Sequence, residues 1–344
     1  MLHLKNKHVK TFLNIALLLT LFGLTLFSSF KGEDLRETLW FIQTAEPRYI
    51  VMSLLCVLGF ILGESVVIAY LLDSLGNRAN FGHCCLYSFI GFFYSCITPS
   101  ASGGQPMQVV AMRKDNIPIA ISTVVLAIVT ITYKLVLVVI GLMVVLFRPA
   151  NILHYLGGTE PLIHLGLFLN VGCIALLFSL VFSPNLIRSL AAKTLTITQK
   201  LRITKHPERL AGRIDRMVLQ YTGTAEYYRT HKFVIVIVFL ITLVQRVLLF
   251  LITWLTYRAF GLHVENPLTI ILLQALISVA VDMLPLPGGM GASENLFLEI
   301  FLPVFGADLL LPGMIISRGI GFYSQLIICT IMTFVATFIL RKRD

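Results

Sequence analysis

Seven ionisable side chains fall in or beside long apolar runs of this sequence: Glu64, Lys134, Arg246, Asp282, Glu294, Glu299 and Arg318. A Lys, Arg or Asp at the centre of a bilayer costs about 2.5–3.5 kcal/mol on insertion scales, so each calls for a partner or a wet cavity. Three cations face four acids, which allows a paired interior network. Two pairings suggest themselves: Glu64 with Lys134, and Arg318 with Glu294 or Asp282. Charges of this kind either fix helix packing or line a polar path for an ionic headgroup.

Two Gly-rich breaks carry the second chemical signal. One runs Thr98-Pro99-Ser100-Ala101-Ser102-Gly103-Gly104-Gln105-Pro106. The other runs Leu284-Pro285-Leu286-Pro287-Gly288-Gly289-Met290-Gly291-Ala292-Ser293-Glu294. Glycine permits positive φ and close approach of a ligand to the backbone. Ser100 and Ser102 can cap a following helix. Free N–H groups at a helix start favour an anion such as a lipid phosphate. Gly103, Gly104, Gln105, Gly288, Gly289 and Gly291 are therefore expected to form two facing anion cradles. Lys134 and Arg318 would add full charges, with Glu294 beside them. Glu64, Arg246 and Asp282 would act as supporting buried charges.

The elements that must position these groups follow from hydropathy. Of the 344 residues, 57% are hydrophobic and 13% are charged; soluble domains carry about 25% charged residues. The mean hydropathy is +0.87. A soluble globular enzyme, a disordered chain and a fibrous protein are excluded, leaving an all-α polytopic membrane protein. Full spans are expected at 11–30, 49–72, 117–147, 162–182, 233–256 and 312–340. The limb 106–112 is only seven residues, about 10 Å of helix against a core of about 30 Å. Segment 81–112 is accordingly expected to enter and return on one side, as a re-entrant hairpin. Segment 267–305, broken at Pro285 to Gly291, is expected to do the same.

The two hairpins lie in related surroundings. Lys134 falls 30 residues after Gly104, and Arg318 falls 29 after Gly289. Glu64 and Arg246 sit in the preceding spans. Units 49–147 and 233–340 thus read as an inverted repeat within a single membrane domain, with broken helices meeting near the midplane. Transporters often place their substrate at such a repeat interface.

Charge gives the orientation. The net charge is +10, from 27 Lys and Arg against 17 Asp and Glu. With the N-terminus inside, nineteen basic residues fall on the cytoplasmic side and five outside, as the positive-inside rule requires. Both termini are then cytoplasmic. The largest loop, 183–232, has ten basic residues and three acids, with Leu210, Ile214, Met217, Val218 and Tyr221 at helical spacing. It reads as a basic amphipathic cytoplasmic linker lying on an anionic leaflet. The six cysteines lie in apolar runs with no C-x-x-C pair and read as small buried hydrophobes. The eight histidines lack metal-ligand spacing, and no P-loop, dinucleotide fingerprint or nucleophile elbow is present. No metal, cofactor or nucleic acid is expected.

The two breaks resemble the T-P-S-x-x-G-G-(E/Q)-P and P-G-G-x-G-x-x-E signatures of the lysylphosphatidylglycerol synthase transmembrane (flippase-like) family. Arg318 resembles that family's intramembrane arginine. The resemblance covers roughly 10–340. It implies a bacterial plasma-membrane protein that moves a phospholipid such as (aminoacyl-)phosphatidylglycerol between leaflets, linked to resistance against cationic antimicrobial peptides. Full-length members add a cytoplasmic synthase domain. This sequence ends four residues after its last span, so transferase activity is not expected of it. Gln105 stands where many members have Glu, which weakens the case for the lysyl form of the lipid. The resemblance leaves two alternatives: an enzyme or enzyme subunit of aminoacyl-phospholipid synthesis, and a scaffold for a separate synthase. Its partners would be membrane phospholipids, with a separate synthase and a second copy of the chain left open.

Overall fold

The computed structural model describes residues 35–147, 149–200 and 207–340. The expected first span, 11–30, lies outside the described residues, as does the C-terminal tail. Among the described residues, fourteen α-helices follow one another: α1 (Leu35–Thr44), α2 (Pro47–Ser74), α3 (Phe81–Cys96), α4 (Gly104–Lys114), α5 (Ile119–Phe147), α6 (Ala150–Leu156), α7 (Glu160–Phe182), α8 (Pro184–Lys200), α9 (Pro207–Thr230), α10 (Lys232–Ala259), α11 (Pro267–Val281), α12 (Ala292–Ile300), α13 (Leu302–Arg318) and α14 (Gln325–Ile339). A π-helical turn, Gly319–Ser324, joins α13 to α14.

Five of these stretches are long and apolar enough to cross a membrane: Pro47–Ser74, Ile119–Phe147, Ile152–Phe182, Lys232–Ala259 and Leu302–Ile339. Their outward faces carry bare apolar side chains; Phe147, Phe168 and Phe233 are each more than 70% exposed. Apolar surface on that scale fits lipid as its solvent. The protein is an all-α polytopic membrane protein. The last span is longer than expected, because the return limb of the second hairpin stops at Ile300 and α13 starts at Leu302. A positive φ at Gly306 bends its start, and the π turn lets the remainder continue as one crossing element.

The four helices α3, α4, α11 and α12 have 16, 11, 15 and 9 residues. At 1.5 Å per residue the longest reaches about 24 Å. Each pair forms a hairpin. The start and end of the first lie together: Asp115, just after α4, accepts a hydrogen bond from the Tyr87 hydroxyl and sits 2.8 Å from His83 Nδ1 near the start of α3. The hairpin therefore enters and returns on one face. In the second hairpin, Phe297 and Ile300 of α12 pack with Ile270 and Leu273 near the start of α11, so it too folds back.

Opposite direction is built into the first span of each unit. Glu46 N–H, at the start of α2, donates to Ala259 O at the end of α10 (2.9 Å). Midway, Gln245 Nε2 donates to Phe60 O (2.8 Å). At the far end, Tyr228 OH, just before α10, donates to Leu71 O (2.7 Å). α2 and α10 are thus antiparallel and packed side by side along their length. The first hairpin opens on the face where α2 ends and the second on the face where α10 ends, which is the other side.

Within 183–232 the described residues form α8 and α9. On α9, Leu210, Ile214, Val218 and Tyr221 are partly covered, while Met217 is exposed. Ala225 and Tyr228 are buried against the ends of α2 and α5, so the C-terminal half of α9 belongs to the packed body. The six cysteines are free thiols; Cys84, Cys96 and Cys329 are buried and the others half-buried.

Candidate functional site

The two Gly-rich breaks meet. Pro99 and Pro287 form an isolated antiparallel bridge, and Ser100 Oγ donates to Leu284 O across 184 residues of sequence (3.1 Å). Pro99, Ser100, Ala101, Ser102 and Pro285 remain exposed. Ser100 and Ala101 hold φ of 50° and 53°, the left-handed region that costs a non-glycine residue about 1–2 kcal/mol. Irregular backbone at this depth persists only where it is buried in protein or lines a cavity.

The expected serine caps are not made. Thr98 Oγ1 accepts the Gly103 N–H (2.9 Å), Gly103 is the residue before α4, and Ser100 is engaged with the other hairpin. The hydroxyl that can turn back to this N–H is the one preceding the turn. Ser102 makes no cap either.

Gly104 is where α4 comes closest to α3. A Cβ there would lie 2.7 Å from Gly91 O and run into Ser95 Oγ. Gly104→Ala is expected to pry the hairpin apart, at about 1–3 kcal/mol for an overpacked contact. A lowered melting temperature of the purified chain checks this. Gln105 Nε2 turns to Thr130 Oγ1 and to Leu126 O on α5. Gln108 Nε2 donates to Glu64 Oε1 (2.6 Å). The first hairpin is therefore held by amide contacts.

The second hairpin is held by charge. Lys134 Nζ, on α5, lies 2.6 Å from Asp282 Oδ2 at the end of α11, with Met283 Sδ at 3.0 Å and Asn170 Oδ1 at 3.4 Å. Arg318 Nε lies 2.9 Å from Glu294 Oε1, and its terminal nitrogen donates to Gly288 O (3.2 Å). The expected Glu64–Lys134 pair is thus replaced by Lys134–Asp282, because Lys134 faces α7 and α11 while Glu64 faces α4. Of the two partners open to Arg318, Glu294 is the one it takes. Glu299 is exposed at the end of α12, not among the buried charges.

The second cradle already contains an anion. Glu294 Oε2 accepts the Gly291 N–H (2.7 Å) and the Ser293 hydroxyl (2.9 Å), while its other oxygen meets Arg318. Gly291 has φ 82°, and Gly288 and Gly289 have φ 60° and 67°. The Gly289 and Met290 N–H groups close local turns onto Leu286 and Pro287. A carboxylate of the chain thus occupies the place expected for a ligand anion.

The third cation stands apart. Arg246 lies with its guanidinium carbon 3.4 Å from the Tyr133 ring centre and 5.1 Å from that of Phe60. Sequence reasoning passed over Gln108, Tyr133 and Asn170. Asn170 had a signal, being a lone amide inside the apolar run 162–182. Tyr133 had none beyond its place next to Lys134.

Fold and site together define a polytopic helical membrane protein whose two oppositely directed broken-helix hairpins touch at their tips beside buried ion pairs. The chain belongs to the family described as lysylphosphatidylglycerol synthase TM region, which matches residues 12–329. That family is related to lysylphosphatidylglycerol synthesis, which is consistent with a membrane protein in lipid metabolism. Among curated proteins, none matches the chain.

Proposed function

We infer that this protein is a lipid translocase, moving a phospholipid such as phosphatidylglycerol or its aminoacyl form between leaflets of a bacterial plasma membrane. The observation that carries this reading is the tip-to-tip meeting of the hairpins, with polar tip residues left exposed at the level where two ion pairs are buried. A headgroup can cross along such a polar seam while its tails stay in lipid. Hairpins opening to opposite faces give the seam access from either side. Lys134, Arg318, Glu294 and the glycines 103, 104, 288, 289 and 291, with Ser100, Ser102 and Gln105, would line the path. Asp282, Glu64 and Arg246 complete its charge. The basic α8–α9 face would be cytoplasmic, and export of a cationic lipid would support resistance to cationic peptides.

Lipid analysis of a deletion strain tests this reading. An unchanged lipid inventory with an altered distribution between leaflets supports translocation. A missing lipid species contradicts it and points to an enzyme or a synthase subunit.

A further inference from the structure

We propose that Arg246 is the group that binds the phosphate of the transported lipid, in competition with Glu64. The inference rests on the translocase reading and names the atom group that receives the substrate's negative charge.

Among the described residues, three cations lie away from the ends of the crossing stretches, and two of them are committed. Lys134 is held by Asp282, and Arg318 by Glu294 and Gly288 O. Among the described residues, Arg246 makes no hydrogen bond and no ion pair. Its Nε is sealed from solvent without a partner. One turn earlier on the same helix, the Thr242 hydroxyl is also sealed without a partner. Residues four apart share a helix face, so α10 presents two unsatisfied polar groups side by side. Buried polar groups are nearly always hydrogen-bonded, and exceptions call for a reason. Arg258 Nε is likewise sealed without a partner, but its guanidinium is engaged through the terminal nitrogen, which donates to Tyr49 OH (3.4 Å).

The surroundings of Arg246 suit a ligand. Tyr133 and Phe60 hold the guanidinium by its faces, and stacking leaves the N–H groups at its rim. A guanidinium rim matches a phosphate in bidentate fashion. Glu64 is close enough to interact with the Arg246 charge but lies beyond ion-pair distance, and Gln108 takes one of its oxygens. Glu64 therefore offsets the charge without filling the donors. Tyr133 immediately precedes Lys134, whose partner Asp282 stands at the base of the second tip. Through Glu64, whose carboxylate accepts a hydrogen bond from Gln108 on α4, Arg246 stands beside the first hairpin.

The test uses the purified full chain in detergent, titrated in one arm with dioctanoyl phosphatidylglycerol and in another with inorganic phosphate, with binding read by calorimetry. Arg246→Met is expected to weaken phosphatidylglycerol binding about tenfold or more, the usual scale for a charge-assisted contact. Arg246→Lys keeps the charge and recovers only part of that loss. Glu64→Gln, which retains an acceptor for Gln108, is expected to tighten binding severalfold, a gain that misfolding does not produce. Phosphatidylglycerol binding with no response to phosphate supports a lipid headgroup as the source. An equal response to phosphate, lost with Arg246→Met, supports the same site with a free anion as its source. Phosphatidylglycerol affinity unchanged in both Arg246→Met and Glu64→Gln overturns the proposal. Transport is not part of this readout. A chain that binds through Arg246 yet moves no lipid keeps this inference and overturns only the translocase reading.

Discussion

Arg318→Met is expected to destabilise the chain by about 3–5 kcal/mol, the usual consequence of removing one member of a buried ion pair. The Glu294 side chain is 4% exposed and that of Arg318 19%. Without Arg318, Glu294 keeps the Gly291 N–H and the Ser293 hydroxyl but loses its countercharge in a region with little water. Glu294→Gln added to Arg318→Met is expected to recover most of that loss, since a neutral amide needs no countercharge. Unfolding by a denaturing detergent in mixed micelles gives both values. A double variant no more stable than the single one would show that Arg318 acts through packing on Phe322, whose ring it overlies at 5.1 Å.

The second large effect lies away from the tips. Gly166 on α7 touches the backbone of α11: a Cβ there would stand 2.6 Å from Ala280 Cα and 2.9 Å from the Val279 carbonyl carbon. Backbone cannot swing aside as a side chain can, so Gly166→Ala must separate the two helices. One turn on, Asn170 Nδ2 spans them by donating to Gly166 O (2.9 Å) and Val279 O (3.3 Å), and its oxygen faces Lys134 Nζ. Separation would break the Val279 bond and loosen the hold on Lys134. The expected cost is at or above the usual overpacking range of about 1–3 kcal/mol. Gly172→Ala on the same helix is the control. Nothing lies within 4 Å of its Cβ, so its stability should be unchanged or rise by up to about 1 kcal/mol, since alanine favours the helix. Comparable losses in both variants would mean that α7 tolerates no change at all, rather than needing contact at Gly166.

The architecture was readable because hydropathy and helix length are local properties. A limb of seven apolar residues cannot span, and the 14 residues after the break at Pro285 to Gly291 cannot span upright either, so each limb length marks a hairpin. The cations and the Gly-rich breaks were also visible, since a charge in an apolar run stands out. What the sequence withheld was direction around the helix axis. Glu64 and Lys134 are opposite charges within one repeat unit, but helical phase turns Lys134 towards α11 and Glu64 towards α4. The role of Glu294 as internal anion was hidden for a similar reason. A glutamate three residues into a helix is a recurrent capping partner, and here the same oxygen that accepts the Gly291 N–H excludes an external anion. Ser100 looked like a cap because its partner, Leu284 O, is remote in sequence. The stacked Arg246 left no trace in spacing at all.

The most direct measurement is transbilayer movement of fluorescent phosphatidylglycerol in proteoliposomes, followed by dithionite quenching, with wild-type chain compared against protein-free vesicles. Lipid in the inner leaflet should become accessible faster with the wild-type chain. Arg246→Met and Gly104→Ala, assayed below their melting temperatures, should slow it towards the protein-free rate. A wild-type chain that moves lipid no faster than protein-free vesicles, in either direction and with or without an imposed proton gradient, would contradict a lipid path at the hairpin tips.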